Sequence, residues 1–134
     1  MLKYDTRVIK TVNRPSAKEI DKRLKEAKDA LRNRRTLFAN PSKVVGELAR
    51  LEIDDSDDVW ELISLLIDEL QLCDYAGGHP PQKSYETSIA DCELWAFTWM
   101  SSVLKKQMYL KFSIKERTFY YVSLHESKFS KNDR

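Results

Sequence analysis

One breaker divides this chain into two parts with different periodicities. Ala76-Gly77-Gly78-His79-Pro80-Pro81 holds two of the three glycines and two of the four prolines, and regular structure does not run through such a stretch. Before it, apolar residues recur at helical spacing; after it, they alternate. Helices followed by a meander of strands predict an α+β domain, with N-terminal helices packed on a small antiparallel C-terminal sheet. A chain of 134 residues, 42% apolar, can bury one core. The expectation is a single domain over 1–134, with 1–15 and 128–134 peripheral.

In the helical part, Asn13-Arg14-Pro15-Ser16 ends an opening segment, and Ser16 with Glu19 has the spacing of a capping box. Ile20, Leu24, Ala27 and Leu31 then make one apolar face, with eight Lys and Arg residues between Lys18 and Arg35 around it. Thr36-Leu37-Phe38-Ala39 reads as an edge strand or as the start of a second helix. After Asn40-Pro41-Ser42, Val44, Val45, Leu48, Ala49 and Leu51 predict a short helix. Asp54, Asp55 and Ser56 are suited to cap a third. Its stripe of Val59, Leu62, Ile63, Leu66, Ile67 and Leu70, widened by Trp60 and Leu65, is expected to lie under the sheet.

In the strand part, Met108, Leu110, Phe112 and Ile114 alternate with Gln107, Tyr109, Lys111, Ser113 and Lys115, and Thr118 to His125 alternates too. A three-residue loop of Lys115-Glu116-Arg117 sets Leu110 against Val122 and Phe112 against Tyr120, so the apolar sets coincide. A two-residue loop pairs Lys111 with Val122, against the pattern. The preferred register gathers Gln107, Tyr109, Lys111, Tyr121, Ser123 and His125 on the opposite face. Leu94 to Trp99 is a further strand, and Lys83 to Ser88 a candidate for another.

Net charge is only +2, but charge is segregated. Residues 1–50 carry 14 Lys or Arg against 6 Asp or Glu; 51–74 carry nine acids and no base. Folding can therefore leave a basic surface able to hold a polyanion, although two ordinary solvated helix faces explain the same pattern. No apolar run serves as a secretory signal or a membrane span, so a cytoplasmic protein without membrane partners is expected. Cys73 and Cys92 read as reduced thiols, and with His79 they match no structural zinc spacing. There is no phosphate-binding glycine loop, GxSxG or HExxH. Ser123 and His125 make only half a triad, and the acids from Asp54 to Asp58 lack the glycine and terminal glutamate of a calcium loop.

The polar hairpin face is the sharpest signal. Metal-free RNA cleavage needs a base for the ribose 2′-OH, a cation beside the phosphate and an acid for the leaving 5′-oxygen. His125 suits the first or the last, Tyr109 the last, and Lys83, Lys111 or Lys115 the charge. Tyr121, Trp95 or Trp99 can stack on an unpaired base, with Gln107 and Ser123 as polar contacts. The plain alternative is a solvated strand carrying ordinary Lys, Ser, Tyr and His.

Gln107-Met108-Tyr109-Leu110-Lys111-Phe112-Ser113-Ile114 followed by Val122-Ser123-Leu124-His125-Glu126 resembles the end of the MqsR family of bacterial type II toxins. Trp95 stands at the family tryptophan's distance from Tyr109, Lys83-Ser84 looks like the family's lysine-serine step, and residues 40–72 sit where the family has a helical pair. The resemblance covers residues 36–127. It departs at Ala96, where the family has glutamine, and at His125, where it has lysine. It implies a RelE-like fold and an mRNA interferase that cleaves single-stranded mRNA without a cofactor, leaving a 2′,3′-cyclic phosphate and blocking translation. It also implies a cognate antitoxin partner, and it casts Tyr109 and Lys83 as catalytic, with His125 in the place of the final lysine.

Three functions are therefore open: an RNA-cleaving toxin, a noncatalytic module binding RNA or protein through the same face, and an adaptor whose aromatic strand pairs with a partner strand.

Overall fold

A computed structural model of the chain describes residues 13–53 and 56–127. The elements run α1 (Ala17–Arg32), β1 (Thr36–Phe38), α2 (Pro41–Arg50), α3 (Ser56–Glu69), β2 (Trp95–Ser101), β3 (Lys106–Lys115) and β4 (Thr118–Glu126), with 3-10 turns at Leu72–Asp74 and Thr87–Ile89. The protein is α+β. No helix among the described residues is long and apolar enough to cross a membrane. Asp54 and Asp55, expected to cap α3, lie outside the described residues, as do the ends 1–12 and 128–134.

Ser16 caps α1 by accepting from the Glu19 amide at 3.1 Å. The Glu19 carboxylate also pairs with the Arg14 guanidinium, which holds Glu93 at 2.9 Å as well. Residues 13–15 are thereby tied to the body of the fold. Arg34, in the left-handed region, ends α1, and the Arg35 amide reaches back to the Ala30 carbonyl at 2.9 Å.

The sheet order is β1-β4-β3-β2. It is mixed rather than wholly antiparallel, because Thr36–Phe38 forms an edge strand parallel to β4, with Thr36 opposite Phe119 and Phe38 opposite Tyr121. Lys83–Ser88 is not a strand; only an isolated bridge joins Lys83 to Glu93. One sheet face packs Trp95, Phe97, Trp99, Met108, Leu110, Phe112, Phe119 and Leu124 against α1 and α3. The stripe of α3 is buried as expected: Val59, Ile63, Leu66 and Ile67 are fully buried, each side chain contributing about 1.5–3 kcal/mol. Leu65 instead faces solvent, and Trp60 stacks on Phe38 with ring centroids 4.7 Å apart.

The hairpin corrects the expected register. Lys115 pairs with Thr118 across a two-residue turn in which Glu116 (φ 51°) and Arg117 (φ 65°) are both left-handed, the geometry of a type I′ turn made without glycine. Phe112 lies opposite Tyr121 rather than Tyr120. A bulge between Lys111 and Phe112 then leaves Val122 unpaired, so Lys111 meets Ser123, Leu110 meets Leu124 and Tyr109 meets His125. A two-residue turn without the bulge would face Lys111 with Val122. The extra residue restores the match of apolar sets.

Candidate functional site

The sheet face turned away from the helices is half covered. Near the turn, Ile89, Ala39 and Val122 form a second small core with Tyr120, Leu94 and Cys92. The segment carrying Ile89 is pinned by Ser88, whose hydroxyl donates to the Ala39 carbonyl at 2.9 Å and whose carbonyl accepts from the Lys115 ammonium at 3.1 Å. Lys115 is thus engaged at the covered end.

At the other end stand Tyr109 and His125, directly opposite on β3 and β4, their rings stacked with centroids 5.0 Å apart at 23°. His125 Nδ1 lies 3.0 Å from the Glu126 carbonyl oxygen. Burial raises the Tyr109 phenol above its ordinary value, which keeps it protonated at neutral pH. Gln107 donates to the Thr98 hydroxyl at 3.2 Å. Lys111, two residues along β3, is half-buried beside Ser123. Burial lowers its ammonium first, Lys43 lowers it further, and Glu47 and Glu86 oppose them.

A shallow cavity of about 250 Å³ runs between β3 and the breaker loop, lined by Ala76, Gly77, Gly78, Gln82, Leu94, Ala96, Tyr109 and Lys111. The loop needs its glycines there. A Cβ on Gly77 would stand 2.5 Å from the Tyr75 hydroxyl, and one on Gly78 would meet the Pro80 carbonyl at 2.8 Å. Tyr75 fastens this rim by donating to the Gly78 carbonyl at 2.6 Å while its ring packs on Trp95 and Phe97. A larger cavity of about 430 Å³, lined by Leu31, Arg34, Thr36, Trp60, Glu61 and Ser64, holds none of the expected site residues.

The structure therefore brings together Tyr109, His125, Lys111 and Gln107 on β3 and β4; Ser123 is in register with Lys111 but buried, its hydroxyl donating to Glu47 at 2.7 Å. All three residues expected to stack on a base leave the set. Tyr121 is 0% exposed because the two-residue turn sets it opposite Phe112 on the helix-side face, where its phenol donates to Glu47 at 2.6 Å. Trp95 is 2% exposed, buried in the same core with the Arg23 guanidinium 5.5 Å from its ring centre. Trp99 is buried too, donating to Glu69 at 3.0 Å. Lys83 is exposed on the strip paired with Glu93 and does not line the cavity.

Glu47 escaped sequence reasoning altogether. It lies on α2, buried, and accepts from Tyr121 at 2.6 Å, from Ser123 at 2.7 Å and from the Leu124 amide at 3.3 Å. A single glutamate in a mostly exposed helix carries no local signal of such a role.

Comparison with known proteins finds no matching family model, no matching curated protein and no matching solved structure.

Proposed function

We propose that this protein is an endoribonuclease toxin that cuts single-stranded mRNA on the open half of the sheet, as its resemblance to the MqsR family implies. The observation that carries the reading is the cross-strand stack of Tyr109 on His125 with Lys111 beside it. His125 takes the proton from a ribose 2′-OH, whose oxygen attacks the adjacent phosphorus. The bond to the 5′-oxygen breaks, and the Tyr109 phenol protonates that oxygen, giving a 2′,3′-cyclic phosphate and a 5′-hydroxyl. Lys111 offsets the extra charge on the pentacoordinate phosphate. Burial holds Tyr109 in the protonated form an acid requires. An imidazole can both take and give a proton, which suits His125 to the role of base. A RelE-like fold and a cognate antitoxin belong to the same proposal, as does a cytoplasmic site of action.

The test is incubation of the purified protein in EDTA with a long unstructured RNA, beside His125→Ala and Tyr109→Phe. Discrete cuts with cyclic phosphate ends that fade in both variants support the reading. Salt-sensitive binding of RNA that stays intact would replace it with a noncatalytic binding module on the same face.

A further inference from the structure

The open face needs an aromatic platform, and the rings on β2 and β4 expected to provide one are buried. Trp95, Trp99 and Tyr121 lie in the helix-side core, Tyr120 packs in the second core, and Tyr109 and His125 cover each other. We infer that Tyr85 supplies this platform: it is the ring on which an unpaired nucleobase of the substrate strand stacks. The inference rests on the RNA reading above and names a binding residue for that site.

Tyr85 is fully exposed, and it is the one aromatic among the exposed large apolar side chains of the described residues. Single exposed apolar residues are ordinary on protein surfaces; two observations distinguish this one. Two of its near neighbours in the chain are linked to the site. Gln82, three residues before it, lines the cavity with Tyr109 and Lys111, and Glu86, the next residue, acts electrostatically on the Lys111 ammonium. Its backbone is also anchored on both sides. The buried Ser84 donates its amide to the Cys92 carbonyl at 2.8 Å and accepts from the Asp91 amide at 3.0 Å, while its hydroxyl accepts from the Glu86 amide at 3.0 Å. Ser88 is held against Ala39 and Lys115.

A phenol ring in water on a fixed base is an unfavourable exposure of apolar area that a partner relieves. Tyrosine has few rotors to freeze, so docking a flat π-surface on it costs little entropy. Stacking tolerates any base, whereas hydrogen-bond readout does not. The exposed Lys83 ammonium two residues earlier is available to the phosphate beside a stacked base. That gives Lys83 a role in binding from a position off the Tyr109–His125 pair.

The experiment measures binding of a fluorescent single-stranded RNA carrying 2′-O-methyl groups, which cannot be cleaved through the 2′-oxygen, to the full chain and to Tyr85→Ala and Tyr85→Phe. Loss of stacking is expected to weaken binding about tenfold in Tyr85→Ala, with Tyr85→Phe within about twofold of wild type because it keeps the ring. The slope of affinity against salt is expected to stay unchanged, since no charge is removed. With a cleavable RNA, KM is expected to rise in Tyr85→Ala at constant kcat. If the wild type binds and Tyr85→Ala binds equally well, the platform is overturned and the RNA reading stands. If the wild type neither binds nor cuts RNA, the reading itself falls and takes the platform with it.

Discussion

The phenol of Tyr121 donates a 2.6 Å hydrogen bond to the carboxylate of Glu47, 74 residues earlier in the chain. The same carboxylate takes the Ser123 hydroxyl and the Leu124 amide. One α2 side chain therefore holds both sides of the bulge that sets His125 against Tyr109. Glu47→Ala leaves two buried hydroxyls and an amide without their acceptor and is expected to cost about 3 kcal/mol. Tyr121→Phe is expected to cost about 1 kcal/mol, because the carboxylate keeps its other two donors. Urea unfolding measures both, and near-equal losses would show that Glu47 does not hold the bulge.

Glu69 closes the β2–β3 connection. It accepts from Trp99 at 3.0 Å, Ser101 at 2.7 Å, the Ser102 amide at 2.6 Å and the Val103 amide at 3.0 Å. Burial works to raise its carboxyl, but these donors outweigh it and the net shift is downward. A depressed folded-state value stabilises the protein above the ordinary carboxylate range, and that stability is lost as pH falls through the folded value. Glu69→Gln is expected to cost about 2 kcal/mol at neutral pH and to flatten the acid limb of stability. An unaltered limb would assign acid sensitivity elsewhere.

Stability is expected to fall at high pH. Burial pushes the Tyr75 phenol up to about 12, with Glu93 and Glu19 adding to it, and Tyr109 and Tyr121 are raised as well. An unfolded chain ionises its tyrosines near 10, so between about 10 and 12 it releases a proton that folded Tyr75 keeps. Thermal unfolding midpoints should decline across that window, and less steeply in Tyr75→Phe.

Lys111 is half-buried, and burial first and then the charge of Lys43 lower its ammonium. Lys111→Gln is expected to weaken RNA binding and to reduce the slope of log affinity against log salt by about one. An unchanged slope would remove Lys111 from the phosphate path.

Much of this was legible because periodicity is a local property. The spacing of Ile20, Leu24, Ala27 and Leu31 and the stripe from Val59 to Leu70 dictated two amphipathic helices, and alternation from Gln107 to His125 dictated a hairpin with Tyr109, Lys111 and His125 on its polar side. Other features depended on partners far along the chain. Thr36–Phe38 becomes a parallel strand because β4 offers it an edge, and the Phe119 amide bonds to the Arg35 carbonyl. Trp95 is aromatic and follows a loop, which describes a base-stacking residue and a core residue equally well; α1 packing over it decided for the core.

By itself, the sequence determined the amphipathic helices, the hairpin strands and which of their residues alternate, since these follow from side-chain spacing along one segment. Only the tertiary structure decided the register. A left-handed two-residue turn and a bulge at Val122 are each unfavourable locally, and neither has a glycine to announce it. They persist together because long-range contacts from Glu47 and the helix layer reward the one pairing in which Leu110 meets Leu124, Tyr121 turns inward and Tyr109 faces His125.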